Sequence, residues 1–496
     1  MKRPRPAHAA FGGVLVLAFV ATLISAGVGS GTHVRGAAEP STTGPRSKPN
    51  FVVVMTDDQA IRSLHLMPSV QQDLADRGMT FPRSFVTTPE CCPSRATFLT
   101  GQYSHNHGVP SADPPEGGYE ALTRKANILP RWLQDAGYRT GHVGKYLNGY
   151  GISRRGNSPT EVPPGWDYWR APVKNTAYQA YGFELNQDGR LRRYGHDETD
   201  YLTDVLADKA DRFLRQAPDG EPFFLSVAPV APHSEGVLDD NPSAARNPRP
   251  APRHLGDFDD LAFPLPPSFG VPVADAPFAI RRKMERRAEI LSIEDLEAFF
   301  LGRSESLLAV DDLVGRLVDR LRAEGELDNT YFIYTSDNGF LLGEHRLTGK
   351  VVPYEEAIRV PLVIRGPGIK PGSRERTLVA NIDLAPTISA LADAQPRRAQ
   401  DGHSLVPLFR GQDLPGRDLA FEYLTGREAF SAIRTERWKF ITYATGGSEL
   451  YDLRHDPHEL LNLASFSRYE EVRRRLTERR RQLSDCKGKS CRRRPL

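Results

Sequence analysis

An excess of charge of either sign is missing from this chain. Its 65 Lys and Arg against 62 Asp and Glu leave a formal charge of +3 over 496 residues. That balance argues against nucleic acid or an anionic membrane as the main partner. A long apolar run is also missing: Phe11 to Ile24 is the longest stretch, short of the roughly 20 residues a membrane span needs. No Asn-x-Ser/Thr acceptor with a permitted middle residue occurs, which argues against a glycosylated lysosomal protein. There is no internal repeat. Cysteine is scarce, at four residues, and nothing near them supplies the His partner of a thiol hydrolase.

What is present at the amino end reads as an export signal. Lys2, Arg3 and Arg5 precede the apolar run, and small residues follow from Ser25 to Gly31. The pattern is that of a removed signal peptide over residues 1–31, with no Cys to carry a lipid anchor. Stable membrane insertion is therefore not expected, and an exported bacterial protein, secreted or extracytoplasmic, is. An oxidising compartment suits Cys486 and Cys491, which are spaced to close a small loop. Cys91 and Cys92 are neighbours, for which a mutual disulfide would be strained.

Residues 32–48 form a linker rich in Gly, Pro, Ser and Thr. Phe51 to Met55 is an apolar, β-branched run predicted as a central strand of a parallel sheet. Further strands are predicted at Thr140–Val143, Phe223–Val227, Tyr331–Thr335 and Val360–Ile364. Helical spacing marks Ile128–Ala136, Leu202–Leu214 and Ser304–Leu321. The Pro-rich stretch from Pro242 to Pro277 reads as a surface excursion. This alternation predicts an α/β sandwich over residues 49–395 with a mostly parallel central sheet. Residues 396–486 read as a smaller α+β subdomain. Its short antiparallel strands fall at Ala420–Leu424, Ser431–Arg434 and Trp438–Tyr443, and its helix at Tyr469–Leu483. A basic tail, 487–496, follows, and the Arg-rich segment from Arg473 to Arg481 reads as a solvated helix face.

The chemistry is concentrated at strand ends. The first strand runs into Asp57-Asp58, and the strand at 331–335 into Asp337-Asn338-Gly339. Ligands of open α/β sheets bind beyond the carboxyl ends of strands. Adjacent carboxylates repel unless a cation neutralises them, and this donor set suits a hard cation such as Ca²⁺ or Mg²⁺. Cys91-Cys92-Pro93-Ser94-Arg95, ending in Leu99-Thr100-Gly101, opens a predicted helix. A thiol there could act as a nucleophile with a lowered pKa, or be merely structural.

The pattern C-x-P-S-R-x-x-x-L-T-G resembles the activation motif of the sulfatases. Gly144-Lys145, Pro232-His233, Gly349-Lys350 and Glu449-Leu450-Tyr451-Asp452-Leu453 follow in the order of that family, which belongs to the alkaline-phosphatase-like superfamily. Cys91-Cys92-Pro93-Ser94-Arg95, His105-Asn106-His107-Gly108-Val109 and Gly144-Lys145-Tyr146-Leu147-Asn148 are most similar to the glucosamine-6-sulfatases and extracellular heparan-sulfate sulfatases. The resemblance implies a sulfuric ester hydrolase acting on a sulfated carbohydrate or aryl sulfate. It also implies oxidation of Cys91 to formylglycine (3-oxoalanine) by a formylglycine-generating enzyme. Asp57, Asp58, Asp337 and Asn338, with residue 91, would bind a divalent cation, usually calcium. Arg95 would hold the hydrated aldehyde, Lys145 and Lys350 the sulfate oxygens, and His233 would sit by the leaving oxygen. One hydroxyl of the hydrate would attack sulfur, and the other would allow the intermediate to collapse, which a plain Ser or Cys could not do.

Leu147 stands where many sulfatases have a His, a trait of the glucosamine-6-sulfatase group that leaves the base for sulfate release unassigned. His142, His105 and His107 are candidates, each equally readable as structural, and His345 lies near Lys350 in sequence. Trp166, Tyr168, Trp169 and Tyr178 could stack on a sugar or fill core. Lys174 and Arg192-Arg193 could meet a polyanionic glycan or simply be solvated. Alternatives are a phosphonate monoester or phosphodiester hydrolase of the same superfamily, and a non-catalytic glycan binder in which Cys91 stays a thiol.

Overall fold

The structure, a computed structural model, describes residues 48–152, 157–174, 176–218, 220–235, 247–288 and 292–492. The predicted signal peptide, the linker up to residue 47 and the last four tail residues lie outside these, as does part of the Pro-rich stretch. Five parallel strands form the centre of a ten-stranded sheet. In spatial order these include Thr330–Ser336, Asn50–Thr56, Phe223–Ala228 and Arg139–Gly144, with Tyr168–Pro172 beside the last. In chain order the principal strands are β1 (Asn50–Thr56), β2 (Arg139–Gly144), β3 (Phe223–Ala228), β4 (Thr330–Ser336) and β5 (Leu362–Arg365).

β1 is buried along its whole length because helices cover both faces of the sheet. Val52 and Val54 pack with Leu206, Leu313 and Leu317, whereas Phe51, Val53 and Met55 pack with Ala96, Leu99 and Trp132. The period-two alternation of a strand thus feeds two cores. The covering helices are α1 (Cys91–Thr100), α2 (Leu202–Arg215) and α3 (Ile293–Ala323). α3 begins well before the predicted Ser304, at Ile293, capped by Ser292, whose side chain accepts from Asp295 N in a capping box. β5 is the strand predicted at Val360–Ile364, and it runs antiparallel to β4.

A four-stranded antiparallel sheet of β6 (Leu419–Tyr423), β7 (Phe430–Arg434), β8 (Trp438–Tyr443) and β9 (Ser448–Asp452) packs with helix α4 (Glu470–Ser484) over a third core. Cys486 and Cys491 form a disulfide, and Cys91 and Cys92 are buried free thiols. The Cys486 carbonyl accepts from His105 Nε2 at 3.0 Å and Asn106 Nδ2 at 2.8 Å, so this loop is tied to the chain after α1. No helix among the described residues is long and apolar enough to cross a membrane.

Candidate active site

Four parallel strands end at one edge of the sheet, and each delivers a predicted site residue beyond its carboxyl end, directly for three of them and through the turn after Ala228 for His233. β1 delivers Asp57 and Asp58, β2 Lys145, β3 His233 and β4 Asp337 and Asn338. Asp58 adopts φ 66°, a left-handed turn that Asp tolerates better than most residues. α1 begins at Cys91 after an extended Glu90, with Pro93 in its first turn. Arg95 lies four residues on, on the same helix face. Lys350 comes from the short strand Thr348–Gly349 and the turn after it.

Cys91 Sγ lies 3.2 Å from Asp57 Oδ1 and 3.9 Å from Asp58 Oδ1. Lys350 Nζ approaches the same sulfur to 2.7 Å and also donates to Asp58 Oδ1. Lys145 Nζ donates to Asp57 Oδ2. Arg95 donates through Nε to Asp337 Oδ2 at 2.7 Å and through a terminal nitrogen to the Lys145 carbonyl at 2.9 Å. His233 Nε2 sits 3.5 Å from Asp58 Oδ2. Ligand atoms of Asp57, Asp58, Cys91 and Asp337 all fall within 4.8 Å of one another.

These contacts decide the charge states. Burial opposes the Asp57 carboxylate, yet Lys145, His233 and Arg95 hold it well below its usual range. Burial likewise opposes the two lysines, and Asp57 and Asp58 respectively keep them charged. Asp337 goes the other way, pushed up by burial and by Asp57. Burial lowers His233 against the pull of Asp58 and Asp57. Burial and the Asp57 charge push the Cys91 thiol well above its ordinary value. As encoded, the thiol is therefore the reverse of an activated cysteine nucleophile.

The donor set fits a divalent cation. Asn338 Nδ2 donates to Asp58 Oδ1 at 2.7 Å, but its Oδ1 is buried with no hydrogen-bond partner. An orphaned amide oxygen beside three buried carboxylates is what a hard, oxygen-seeking ion satisfies.

The other histidines are engaged elsewhere. His142 contacts the Gly144 carbonyl at 3.2 Å and Ser226 Oγ at 3.3 Å and stacks on Trp169; burial pushes it down to about 3. His107 contacts Thr97 Oγ1 at 3.1 Å and is likewise pushed by burial to about 3. His105 faces Glu422 at 2.8 Å. His345 is buried against Tyr354, with Glu356 3.7 Å away. Trp166, Tyr168 and Trp169 are core residues. Lys174 pairs with Glu184, and Arg192 and Arg193 are exposed on an edge strand.

Two residues near the site carried no motif. Arg303 of α3 is buried, donates to the Pro232 carbonyl at 3.0 Å and to the Asp58 carbonyl, and so ties β1's turn to β3's. Its signal was its place one turn before Leu307 on the apolar stripe of α3. Tyr178 lies with its ring centroid 4.5 Å from Lys145 Nζ.

Comparison with known proteins bears on this geometry. The sulfatase family model matches residues 49–394, and a model described as N-sulphoglucosamine sulphohydrolase, C-terminal, matches 343–486. The N-acetylglucosamine-6-sulfatase of Capra hircus is 35% identical, covering 92% of this chain and 86% of its own length. The arylsulfatase of Volvox carteri is 34% identical, over 92% of this chain and 77% of its own. A protein solved in complex with its substrate D-glucosamine-2-N,6-O-disulfate superposes with a TM-score of 0.75 at 25% identity, covering 90% of this chain and 98% of that one. The phosphonate monoester hydrolase of Agrobacterium radiobacter shares the fold, with a TM-score of 0.66 at 22% identity over 88% of this chain and 95% of its own. With strand ends, helix terminus and long-range identity in agreement, the chain belongs to the sulfatase family and is a sulfuric ester hydrolase.

Proposed function

We propose that this protein is an extracytoplasmic sulfatase for sulfated sugars such as glucosamine 6-sulfate, working through formylglycine at position 91 and a divalent cation, calcium or magnesium. The observation that carries this reading is the Cys91 side chain, set between the Asp57–Asp58 carboxylates and the Lys350 ammonium. The names of the caprine relative and of the ligand in the solved neighbour support the sugar.

Asp57, Asp58, Asp337 and Asn338 Oδ1 would hold the cation, which supplies Lewis-acid polarisation of the sulfate when bound. Hydrated formylglycine supplies two hydroxyls on one carbon, one to attack sulfur and one through which sulfate is later expelled. The chain's own groups do the rest. Three carboxylates are matched by Arg95, Lys145 and Lys350, so a bound dication leaves the site positive and attractive to a sulfate monoester anion. Lys145 and Lys350 hold the sulfate oxygens where charge accumulates. Arg95, already fixed by Asp337 and the Lys145 carbonyl, keeps a second terminal nitrogen, buried without a hydrogen-bond partner and 3.9 Å from Asp57 Oδ2, for the hydrate. Asp337, fixed by the Arg95 guanidinium beside residue 91, is the proton acceptor. His233, or the Lys350 ammonium, delivers a proton to the departing alcohol.

The test is a rate comparison on glucosamine 6-sulfate, an aryl sulfate and an aryl phosphate diester, before and after chelation. Sulfate turnover lost on chelation and restored by Ca²⁺ or Mg²⁺ is expected. Faster cleavage of the diester, or turnover indifferent to chelation, overturns the proposal.

A further inference from the structure

Lys145 and His233 enter the site from neighbouring strands, yet they share one neighbour. The ring of Tyr178, on the short turn Thr176–Tyr178, stands 4.5 Å from Lys145 Nζ and 4.5 Å from the His233 ring, inclined at 38° to the latter. Its hydroxyl accepts from Asn148 Nδ2 at 3.0 Å. Asn148 is itself held, since its carbonyl accepts from Tyr119 N at 2.7 Å. Beyond the ring, Lys145 reaches Asp57, and His233 faces Asp58. A lysine has four rotatable bonds and a histidine two, and carboxylates attract both from more than one direction. A rigid aromatic ring in contact with both removes that freedom, and its quadrupole favours the ammonium over it.

We infer that Tyr178 is a positioning residue, a wedge that sets the distance between the sulfate-holding Lys145 and the leaving-group-side His233. This rests on the sulfatase reading of the site. The ring does most of the spacing; the hydroxyl pins the ring through Asn148 and also lies within reach of the Lys145 ammonium. Loss of the ring therefore matters most when the departing alcohol is a poor leaving group and needs a well-placed proton donor.

The experiment compares wild type, Tyr178→Phe and Tyr178→Leu on two sulfate esters, glucosamine 6-sulfate and a nitrophenyl sulfate, with thermal unfolding to confirm that each variant folds. Wild-type turnover of either ester tests the sulfatase reading separately. Tyr178→Leu is expected to lose kcat on the sugar ester roughly tenfold to a hundredfold, as for a misplaced acid–base group. On the nitrophenyl ester, which feels only the displacement of Lys145, its kcat is expected to fall severalfold less than on the sugar ester, with KM raised on both. Tyr178→Phe restores most of the sugar-ester kcat. Three results overturn the inference: equal kcat losses on both esters, wild-type behaviour of Tyr178→Leu on both, or Tyr178→Phe as impaired as Tyr178→Leu.

Discussion

Replacing Arg303 by Met separates the positioning of the site from the stability of the fold. The guanidinium donates to two buried carbonyls, those of Asp58 and Pro232, and lies 4.3 Å from the Phe340 ring. Each charge-assisted bond contributes about 1.5–3 kcal/mol, about 3–6 kcal/mol for the two. Against this, burial pushes the guanidinium from its ordinary 12.5 down to about 10, a cost to the charged form of about 3 kcal/mol. Met keeps the aliphatic contact with the ring but leaves the two buried carbonyls without this donor, so stability should fall by about 3 kcal/mol or somewhat more, within what a domain of this size tolerates. Activity should fall too, in protein that is still folded. The two carbonyls belong to the turns that carry Asp58 and His233, and a displacement of about 1 Å at such a place costs on the order of a hundredfold. The assay is kcat/KM on an aryl sulfate beside a denaturant unfolding curve. Unchanged kcat/KM in a folded R303M protein, or a global collapse that accounts for the lost activity, refutes the reasoning.

Other outcomes follow from the same contacts. Cys91→Ser should fold normally but lose at least about a thousandfold in turnover, because a single hydroxyl cannot regenerate itself; steady-state assays with a circular dichroism control check this. Removing the Cys486–Cys491 disulfide, which closes a loop of sequence separation 5, should cost about 2 kcal/mol and leave kcat unchanged, seen in thermal melts and assays of the double Ser variant. Glu449 is buried between the Tyr354 and Tyr443 hydroxyls, and burial raises its carboxyl from 4.5 to about 7. A carboxyl raised on folding binds its proton more tightly in the native state, so its contribution to stability declines as pH rises from about 4.5 to about 7 and is level above. Glu449→Gln should therefore match the native protein near pH 4.5 and exceed it by as much as about 3 kcal/mol at pH 8, in urea titrations at the two pH values.

The central sheet was legible where local sequence and burial agree. Phe51 to Met55 is apolar on both faces because helices cover both faces of β1. The direction of β5 was not legible, because nothing in Val360 to Ile364 distinguishes a parallel strand from the antiparallel one found. The hairpin at Glu184–Gln187 and Arg190–Arg193 was legible, since its Asp188-Gly189 turn signals the register. β9 escaped as a strand because Glu449 is as buried as its apolar neighbours, which erases the expected alternation. Among site residues, those sitting one or two positions past a buried strand could be found in the chain. The roles of Arg303 and of Tyr178, the latter read in the sequence only as an aromatic that could stack on a sugar or fill core, could not: each acts by touching two turns distant in sequence, and only the fold brings those turns together.

The proposed sulfate-ester cleavage depends on the chemical identity of the side chain at position 91. Mass spectrometry of the peptide spanning residue 91, on protein made with and without a formylglycine-generating enzyme, should be paired with sulfatase rates on the same samples. The account predicts that kcat rises in proportion to the fraction of residue 91 present as aldehyde. Full turnover by protein whose residue 91 remains entirely a thiol would contradict it.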